Sequence, residues 1–283
     1  MIDIFAEQLQ LDSSVISYSP IGGGSINHTY KLNAGGRQFF CKVNTASAFP
    51  EMFAKEQRGL DMIRSTEVIR VPQVEKVFVS GDRQFLLMEY IQEGTRTDKF
   101  WKQFGKQLAA LHFISERDCG LDEDNYMGSL PQSNTKSRTW PAFFLNQRIL
   151  PLVKRATDQS LLPSSAKTHL KGFYKAVLDI FPEEKFSLLH GDLWSGNFLC
   201  SGETQPVLID PALYFGSRHM DLAMTTLFGG FRPKFYESYH YHSALPADSE
   251  EIWDICNLYP LLVHLNLFGP SYLSSIQKIL HRF

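Results

Sequence analysis

The sequence is poor in cysteine, in long apolar runs and in net charge. Its four cysteines are scattered without C-x-x-C spacing, which indicates neither a disulfide framework nor a zinc site. No apolar run approaches the roughly 18 residues that a membrane-spanning helix needs, and the start of the chain lacks the pattern of a signal peptide. A net charge of −2 and a pI near 6.5 leave no basic footprint for nucleic acid or anionic lipid. We therefore expect a cytoplasmic protein that binds neither nucleic acid nor a membrane.

Apolar and aromatic residues, in contrast, are plentiful. They make up 43% and 13% of the 283 residues, respectively, enough to bury one large core or two coupled lobes. The chain shows no internal repeat and no low-complexity linker. It is thus expected to fold throughout.

One stretch concentrates residues that handle metal ions and protons. Asn197 follows Asp192 by five positions, which is the spacing of Asp and Asn in a kinase catalytic loop. Asp210 ends the apolar run 206–209, a predicted buried strand. A carboxylate there can share Mg²⁺ with the Asn197 amide, which leaves Asp192 to accept a proton from an attacking hydroxyl. The alternative is that all three are turn formers, since Asp and Asn are common in loops.

A glycine-rich segment precedes this stretch near the start of the chain. Gly22, Gly23, Gly24 and Ser25 follow a predicted strand over residues 16–21, and a second strand begins at Thr29. Glycines between two strands let the backbone approach a polyphosphate closely. An ordinary hairpin turn is the alternative, because the segment matches neither G-x-G-x-x-G nor the Walker pattern.

Lys42 is a charged residue in an otherwise apolar predicted strand, residues 37–43. A buried ammonium needs an anionic partner. The predicted helix over residues 51–64 supplies one, because Glu56 shares its apolar stripe with Phe53 and Leu60. The pattern predicts a Lys42–Glu56 pair whose ammonium also reaches ATP phosphates. The alternative is a solvated Glu56 and a snorkelling Lys42.

Two further predicted strands, residues 71–79 and 85–90, lead to the exit from this region. In a kinase-like architecture this exit is the hinge between lobes, and its backbone at Glu89, Tyr90 and Ile91 would hydrogen-bond adenine. Met88 would line the pocket behind it, although a Met is also ordinary core filler.

The chain resembles the fructosamine kinase family (fructosamine-3-kinase and ketosamine-3-kinase) within the protein-kinase-like and aminoglycoside-phosphotransferase-like group. The resemblance covers nearly the whole chain, and the run from Leu188 to Asn197, with Trp194 between Asp and Asn, is its most specific part. The segments that carry it are residues 22–27, 40–44, 52–53 with Glu56, 88–90, 120–121 with Asn125 and Gly128, Trp140 with 143–144, 190–197, 210–212, 221–224, 227–231, and Leu262 with His264, Asn266, Phe268 and Gly269.

The resemblance implies a role for each of the candidate residues. It implies that Asp192 accepts a proton, that Asn197 and Asp210 bind Mg²⁺, and that Lys42 and Glu56 form the phosphate-binding pair. These roles correspond to those that the spacing suggests.

The acceptor side is less defined. Trp194 is expected to face the sugar and its attached amine, where an indole can stack on a ring or a cation, or else to serve in packing. The acceptor pocket is expected near His264 and Asn266, although both could be satisfied polar residues of the core.

We therefore expect an α+β protein with a bilobal protein-kinase-like fold. Residues 1–90 would form a small antiparallel β lobe that binds the nucleotide, and residues 91–283 a larger, mainly helical catalytic lobe, with ATP in the cleft. The resemblance implies an ATP- and Mg²⁺-dependent phosphotransferase that acts on the 3-hydroxyl of a ketosamine, a small-molecule or protein-bound glycated amine, and so leads to deglycation. The alternatives are a kinase for an aminoglycoside or choline-like alcohol and an inactive nucleotide-binding pseudokinase. Monomer and dimer stay equally open.

Overall fold

The chain divides into two compact units. The computed structural model describes residues 1–22, 26–247 and 249–283. The first unit comprises Met1–Phe100 with Leu199–Asp210, and the second comprises Trp101–Phe198 with Pro211–Phe283. The predicted boundary between residues 90 and 91 differs from this division, which falls ten residues later and assigns a distant segment to the first unit.

The first unit is built on a five-stranded antiparallel sheet in the order β1-β2-β3-β5-β4. The elements of its N-terminal part are α1 (Ile2–Leu9), β1 (Ile16–Pro20), β2 (His28–Ala34), β3 (Arg37–Thr45), α2 (Met52–Ser65), β4 (Val74–Ser80) and β5 (Arg83–Glu89). Strand β4 begins three residues later than expected, consistent with Pro72, which lacks a backbone N–H for a ladder.

The alternation of β3 assigns its side chains to two faces of this sheet. Phe39, Cys41 and Val43 are buried in one apolar cluster with Phe5 of α1. Successive side chains of a strand point to opposite faces, so Lys42 lies on the other face. Helix α2 packs there, since the amide of Asn44 contacts the Met52 sulfur at 3.2 Å.

A hairpin from late in the sequence completes the first unit. Strands β10 (Phe198–Ser201) and β11 (Gln205–Leu208) pair with each other. The Leu208 N–H donates to the Arg70 carbonyl at 2.9 Å, and the Gly94 N–H donates to the Cys200 carbonyl at 2.8 Å. These bonds explain why residues 199–210 pack with the first unit.

The second unit is mainly helical. Its elements are α3 (Asp98–Phe113), β6 (Ser115–Glu116), β7 (Asn125–Met127), β8 (Leu130–Gln132), α4 (Trp140–Phe143), a π-helical turn (Phe144–Ile149), α5 (Leu150–Asp158), α6 (Ser164–Ile180), β9 (Phe186–Leu189), β12 (Tyr214–Gly216), α7 (His219–Leu227), α8 (Pro233–His242), α9 (Ser249–Phe268) and α10 (Leu273–Leu280). The Thr97 hydroxyl accepts from the Phe100 N–H and caps α3.

Residues 140–158 are helical throughout, with the π turn between α4 and α5. None of the described helices is long and apolar enough to cross a membrane.

Candidate active site

In the first unit, Lys42 lies between two carboxylates. Its Nζ is 2.7 Å from Glu56 Oε1 and 2.6 Å from Asp210 Oδ1. The ion pair expected between Lys42 and Glu56 is therefore present. The alternative of a snorkelling lysine is wrong, because the Lys42 side chain is only 3% exposed and that of Glu56 only 11%.

The two carboxylates set the charge of this cluster. Burial alone would lower the pKa of Lys42, but Asp210 and Glu56 outweigh it and raise that pKa, so the ammonium stays charged. Burial raises the pKa of Glu56 to about 7, against the attraction of Lys42 and with the repulsion of Asp210. The cluster thus holds one fixed cation beside a carboxylate, Asp210, that is 40% exposed.

Asp210 adopts an unusual backbone conformation. Its φ is +57°, in the left-handed region that side chains other than Gly enter at a cost. Asp tolerates this region better than most residues, and such strain concentrates at functional sites.

In the second unit, the loop after β9 holds Asp192 and Asn197 together. The Asn197 amide nitrogen donates to the Asp192 carbonyl oxygen at 2.9 Å and to Asp192 Oδ2 at 2.8 Å. Both bonds use Nδ2, so the amide oxygen, the atom that a cation binds, is not engaged in them. The five-residue spacing therefore brings the two side chains into direct contact.

Two buried residues whose roles the sequence did not reveal anchor this loop. Asp221 of α7 accepts hydrogen bonds from the backbone N–H groups of His190 and Gly191 at 2.7 and 2.8 Å. The same carboxylate lies 3.2 Å from Nε2 of His112, and both side chains are 1% exposed. The available signal was an acidic residue in an otherwise apolar helical run, since a buried carboxylate needs partners.

Trp194 belongs to a partly exposed aromatic group. Its side chain is 39% exposed, and its ring meets the ring of Phe228 edge-on at 6.1 Å. From Phe228 the group continues to His264 at 4.8 Å, and from His264 to Phe268 at 5.4 Å and Tyr272 at 5.0 Å. We call these five side chains the aromatic surface.

His264 and Asn266 of α9, both predicted near the acceptor pocket, differ in their hydrogen bonds. Burial lowers the pKa of His264, which favours the neutral ring at pH 7. Its Nδ1 lies 2.7 Å from the Pro260 carbonyl, which can only accept, so Nδ1 carries the proton and Nε2 is an acceptor. Asn266 instead donates to the backbone carbonyls of Leu152 and Leu262, while its buried Oδ1 has no hydrogen-bond partner among the described residues.

The candidate nucleotide-binding segments are only partly described. Gly23, Gly24 and Ser25 lie outside the described residues. Gly22 precedes them, and the backbone N–H of Ile21 donates to the Thr29 carbonyl at 2.9 Å, at the base of the segment.

The predicted hinge begins inside β5, which contains Met88 and Glu89, and continues beyond the strand with Tyr90 and Ile91. Met88 is buried, and the Glu89 N–H donates to the Gln73 carbonyl at 2.8 Å, which occupies this donor. Tyr90 packs under the Lys31 ammonium, 4.2 Å from the ring centroid. The Glu89 carboxylate is bound by Arg70. Ile91 follows β5, outside the sheet.

The structure therefore assembles the predicted residues into two groups. Lys42, Glu56 and Asp210 are in contact within the first unit. Asp192 and Asn197 are in contact within the second unit, where Trp194 and His264 are both members of the aromatic surface.

Comparison with known sequences gives a match along the whole chain. Residues 1–283 match the family model "Fructosamine kinase". A probable ketoamine kinase of Vibrio parahaemolyticus is 36% identical over 264 residues, covering 93% of this chain and 90% of the relative. A probable ketoamine kinase of Enterococcus faecium is 33% identical over 286 residues, covering 100% of this chain and 99% of the relative.

Solved structures agree with this match. A putative fructosamine-3-kinase from Haemophilus somnus has a TM-score of 0.88 at 27% identity, covering 99% of this chain and 95% of that one. A putative fructosamine-3-kinase from Thermobifida fusca has a TM-score of 0.84 at 33% identity, covering 94% and 92%. A thermostable mutant of the aminoglycoside phosphotransferase APH(4)-Ia has a TM-score of 0.67 at 14% identity, covering 100% of this chain and 99% of that one, and shows the likeness of fold alone. The expected α+β protein-kinase-like fold is thus confirmed, and the chain belongs to the fructosamine kinase family of phosphotransferases.

Proposed function

We propose that this kinase transfers the γ-phosphoryl group of ATP to the 3-hydroxyl of a ketoamine, such as a fructosamine or ribulosamine. Membership of the fructosamine kinase family implies ketoamine phosphorylation with ATP as donor. The observation that carries the proposal is the contact between Asp192 and Asn197, because it brings a proton acceptor and an amide ligand together in one loop. The proposed product decomposes to release the amine, which is a deglycation reaction.

Lys42 and Glu56 are proposed to bind the phosphates. The Lys42 ammonium is fixed and charged, and Glu56 holds it in place. An ammonium in a buried position stabilises phosphate charge more strongly than one in water, because the local dielectric is lower. The proposed hinge residues Met88, Glu89 and Tyr90 with Ile91, and the glycine segment Gly22, Gly23, Gly24 and Ser25, would bind the remainder of ATP.

Asn197 and Asp210 are the proposed Mg²⁺ ligands. Both offer oxygen donors, which Mg²⁺ prefers, and it is commonly bound by one or two carboxylates together with substrate phosphates. Within the described part of the chain, no group of three or more His, Cys, Asp and Glu side chains is arranged to hold a metal ion. One carboxylate and one amide oxygen fit an ion that substrate phosphates also bind. Bound there, Mg²⁺ would neutralise phosphate charge.

Asp192 is the proposed base. It would accept the proton of the 3-hydroxyl as that oxygen forms its bond to the γ-phosphorus and the bond from phosphorus to the ADP oxygen breaks. The Asn197 amide, which donates to Asp192 Oδ2, keeps the carboxylate oriented.

The aromatic surface is the proposed contact for the amine side of the acceptor. Aromatic faces attract a cationic amine, and Trp194 is the strongest residue for this contact. His264 adds an acceptor for an amine N–H through Nε2 without adding a positive charge. These features favour a glycated amine, free or protein-bound, as acceptor. A cytoplasmic location is part of the proposal, because the reaction consumes ATP.

The function is tested with purified protein, Mg·ATP and four acceptors: fructosyl-lysine and ribulosyl-lysine, each free and protein-bound. ADP release measures turnover, and ³¹P NMR identifies the phosphorylated position. Failure to phosphorylate any of the four would contradict the proposed substrate class.

The role of Asp192 is tested by Asp192→Ala. Loss of a general base lowers kcat by about 10²–10⁴-fold, whereas ATP affinity, measured by calorimetry, stays close to that of the wild type. Asp158→Ala is the control, since Asp158 pairs with Lys154 on the exposed surface of α5. Turnover of Asp192→Ala similar to that of the control would refute the assignment.

A further inference from the structure

Two amide side chains of the β7–β8 hairpin hold the backbone that follows Asp210. Gln132 Nε2 lies 3.2 Å from the Ala212 carbonyl oxygen, and Asn125 Nδ2 lies 2.8 Å from that of Leu213. The two amides also bond to each other, with Gln132 Nε2 donating to Asn125 Oδ1 at 2.7 Å. Two successive carbonyls are therefore fixed by one pair of side chains.

The segment fixed in this way lies against the loop of Asp192. The Ala212 N–H donates to the His190 carbonyl at 2.9 Å. Gly191 is in such close contact that a Cβ added there would lie 2.1 Å from the Ala212 oxygen. Ala212 therefore contacts both residues that immediately precede Asp192, and its position limits where Asp192 can lie.

Tyr259 of α9 binds the other side of the Gln132 amide. Its hydroxyl donates to Gln132 Oε1. A flipped amide would turn Nε2 toward the hydroxyl and Oε1 toward the Ala212 oxygen, where two acceptors would repel each other. The two acceptors at Nε2, the Ala212 oxygen and Asn125 Oδ1, therefore select the orientation, and the Tyr259 hydroxyl donates to the oxygen on the other side.

Arg148 fixes the chain that follows Gln132. Its guanidinium donates to the Ser133 carbonyl at 2.5 Å and to Asn134 Oδ1 at 2.7 Å. The side chain is fully buried, and the guanidinium lies 4.1 Å from the centre of the Tyr214 ring. The hairpin that carries Gln132 thus has a rigid support that does not depend on solvent.

We propose that Gln132, supported by hydrogen bonds with Asn125 and Tyr259, is a positioning residue that sets the place of Asp192 through Ala212 and the His190–Gly191 backbone. This inference rests on the proposed role of Asp192 as base. It makes Gln132 act through the backbone, without contact to acceptor or nucleotide.

The test uses Gln132→Met, which keeps the side-chain length and removes the hydrogen bonds, and Tyr259→Phe, which removes only the hydroxyl that donates to Gln132 Oε1. Asn257→Leu is the matched control, because Asn257 is a similarly buried amide that bonds to Thr226 and not to this network. Each variant is measured by steady-state kinetics and by backbone hydrogen exchange.

We expect Gln132→Met to lower kcat by about 10–100-fold, since a misplacement near 1 Å can cost 10²-fold. KM values for ATP and acceptor should stay within about threefold of the wild type, because the hydrogen bonds that the substitution removes bind neither substrate. Tyr259→Phe should follow the same pattern to a smaller extent. The rate of backbone hydrogen exchange should rise in residues 188–197 and 211–216 of both variants. It should not rise in the same segments of Asn257→Leu.

Three results would overturn the inference: unchanged kcat in Gln132→Met, reduced kcat without faster exchange in those segments, or an equal reduction of kcat in Asn257→Leu. The exchange arm needs no acceptor. If the wild type phosphorylated no ketoamine, the proposed function would fail, while the exchange results would still decide whether Gln132 holds the loop.

Discussion

Replacing Gly191 by alanine should lower kcat by more than the accompanying loss in the free energy of unfolding explains. Gly191 has φ +82°, and Gly36, in the turn between β2 and β3, has φ +80°. Alanine at either position pays the left-handed backbone cost of about 1–2 kcal/mol. At Gly36 an added Cβ would meet no described atom within 4 Å, so Gly36→Ala isolates this backbone cost.

At Gly191 the added Cβ would also collide with neighbouring backbone. It would lie 2.1 Å from the Ala212 oxygen, and side chains essentially never approach closer than 3.0 Å, so the two backbones must separate by about 0.9 Å. Overpacking of this kind costs about 1–3 kcal/mol more. Because Asp192 is the next residue, we expect kcat to fall by about 10²-fold.

The assay compares the two alanine variants by urea unfolding and by initial rates of ADP release with a ketoamine acceptor. Gly36→Ala should keep the kcat of the wild type with a reduced free energy of unfolding. Gly191→Ala should lose more stability and most of its kcat while still folded at 25 °C. If its kcat matched that of Gly36→Ala, the steric argument for the placement of Asp192 would be refuted.

Two further predictions concern the first unit and the thiols. Lys42→Met leaves Glu56 facing Asp210 without a cation and should lower the free energy of unfolding by about 3 kcal/mol. This is the lower end of the range for a broken buried ion pair, because Asp210 is 40% exposed. Removing Lys42 raises the already elevated pKa of Glu56, and a carboxyl group with a raised pKa in the folded state loses stability as pH rises above 4.5. The loss in the free energy of unfolding, measured with urea, should therefore be smaller at pH 5 than at pH 8. An equal loss at both pH values would contradict this prediction. All four cysteines are buried, and burial raises the pKa values of Cys41 and Cys119 to about 12. The thiols of the native protein should therefore react with a disulfide reagent at a small fraction of the rate measured in guanidinium. Rapid labelling of the native protein would contradict the packing described.

Local patterns in the sequence were sufficient for much of the candidate site. The alternation of β3 and the stripe of α2 predicted the contact between Lys42 and Glu56, because both periodicities are fixed by backbone geometry. The five-residue spacing predicted that Asp192 and Asn197 belong to one loop, but not that the Asn197 amide donates to the Asp192 carboxylate. Strand alternation, a helical stripe and a short loop are all set by residues close together in the sequence.

The support around the loop could not be predicted in this way. Asn125 and Gln132 bond to carbonyls 88 and 80 residues away, and any backbone carbonyl can accept such a bond, so no residue type marks the partner. Asp221 likewise bonds to backbone N–H groups. No glycine marks the π turn between α4 and α5, so the sequence does not distinguish it from the α-helix on either side.

The discontinuous make-up of the first unit has a consequence for the order of events during synthesis. Strands β10 and β11, which bond to Gly94 and Arg70, are made only after residues 101–198. Domains usually fold as they emerge, the N-terminal one first. Here the N-terminal unit cannot be complete on the ribosome until most of the other unit has been translated, and a fragment ending at residue 90 or 100 lacks the hairpin, and with it the Asp210 carboxylate that pairs with Lys42. All five strands of the sheet precede residue 90, so the nascent chain can form the sheet while Lys42 still lacks its second carboxylate partner.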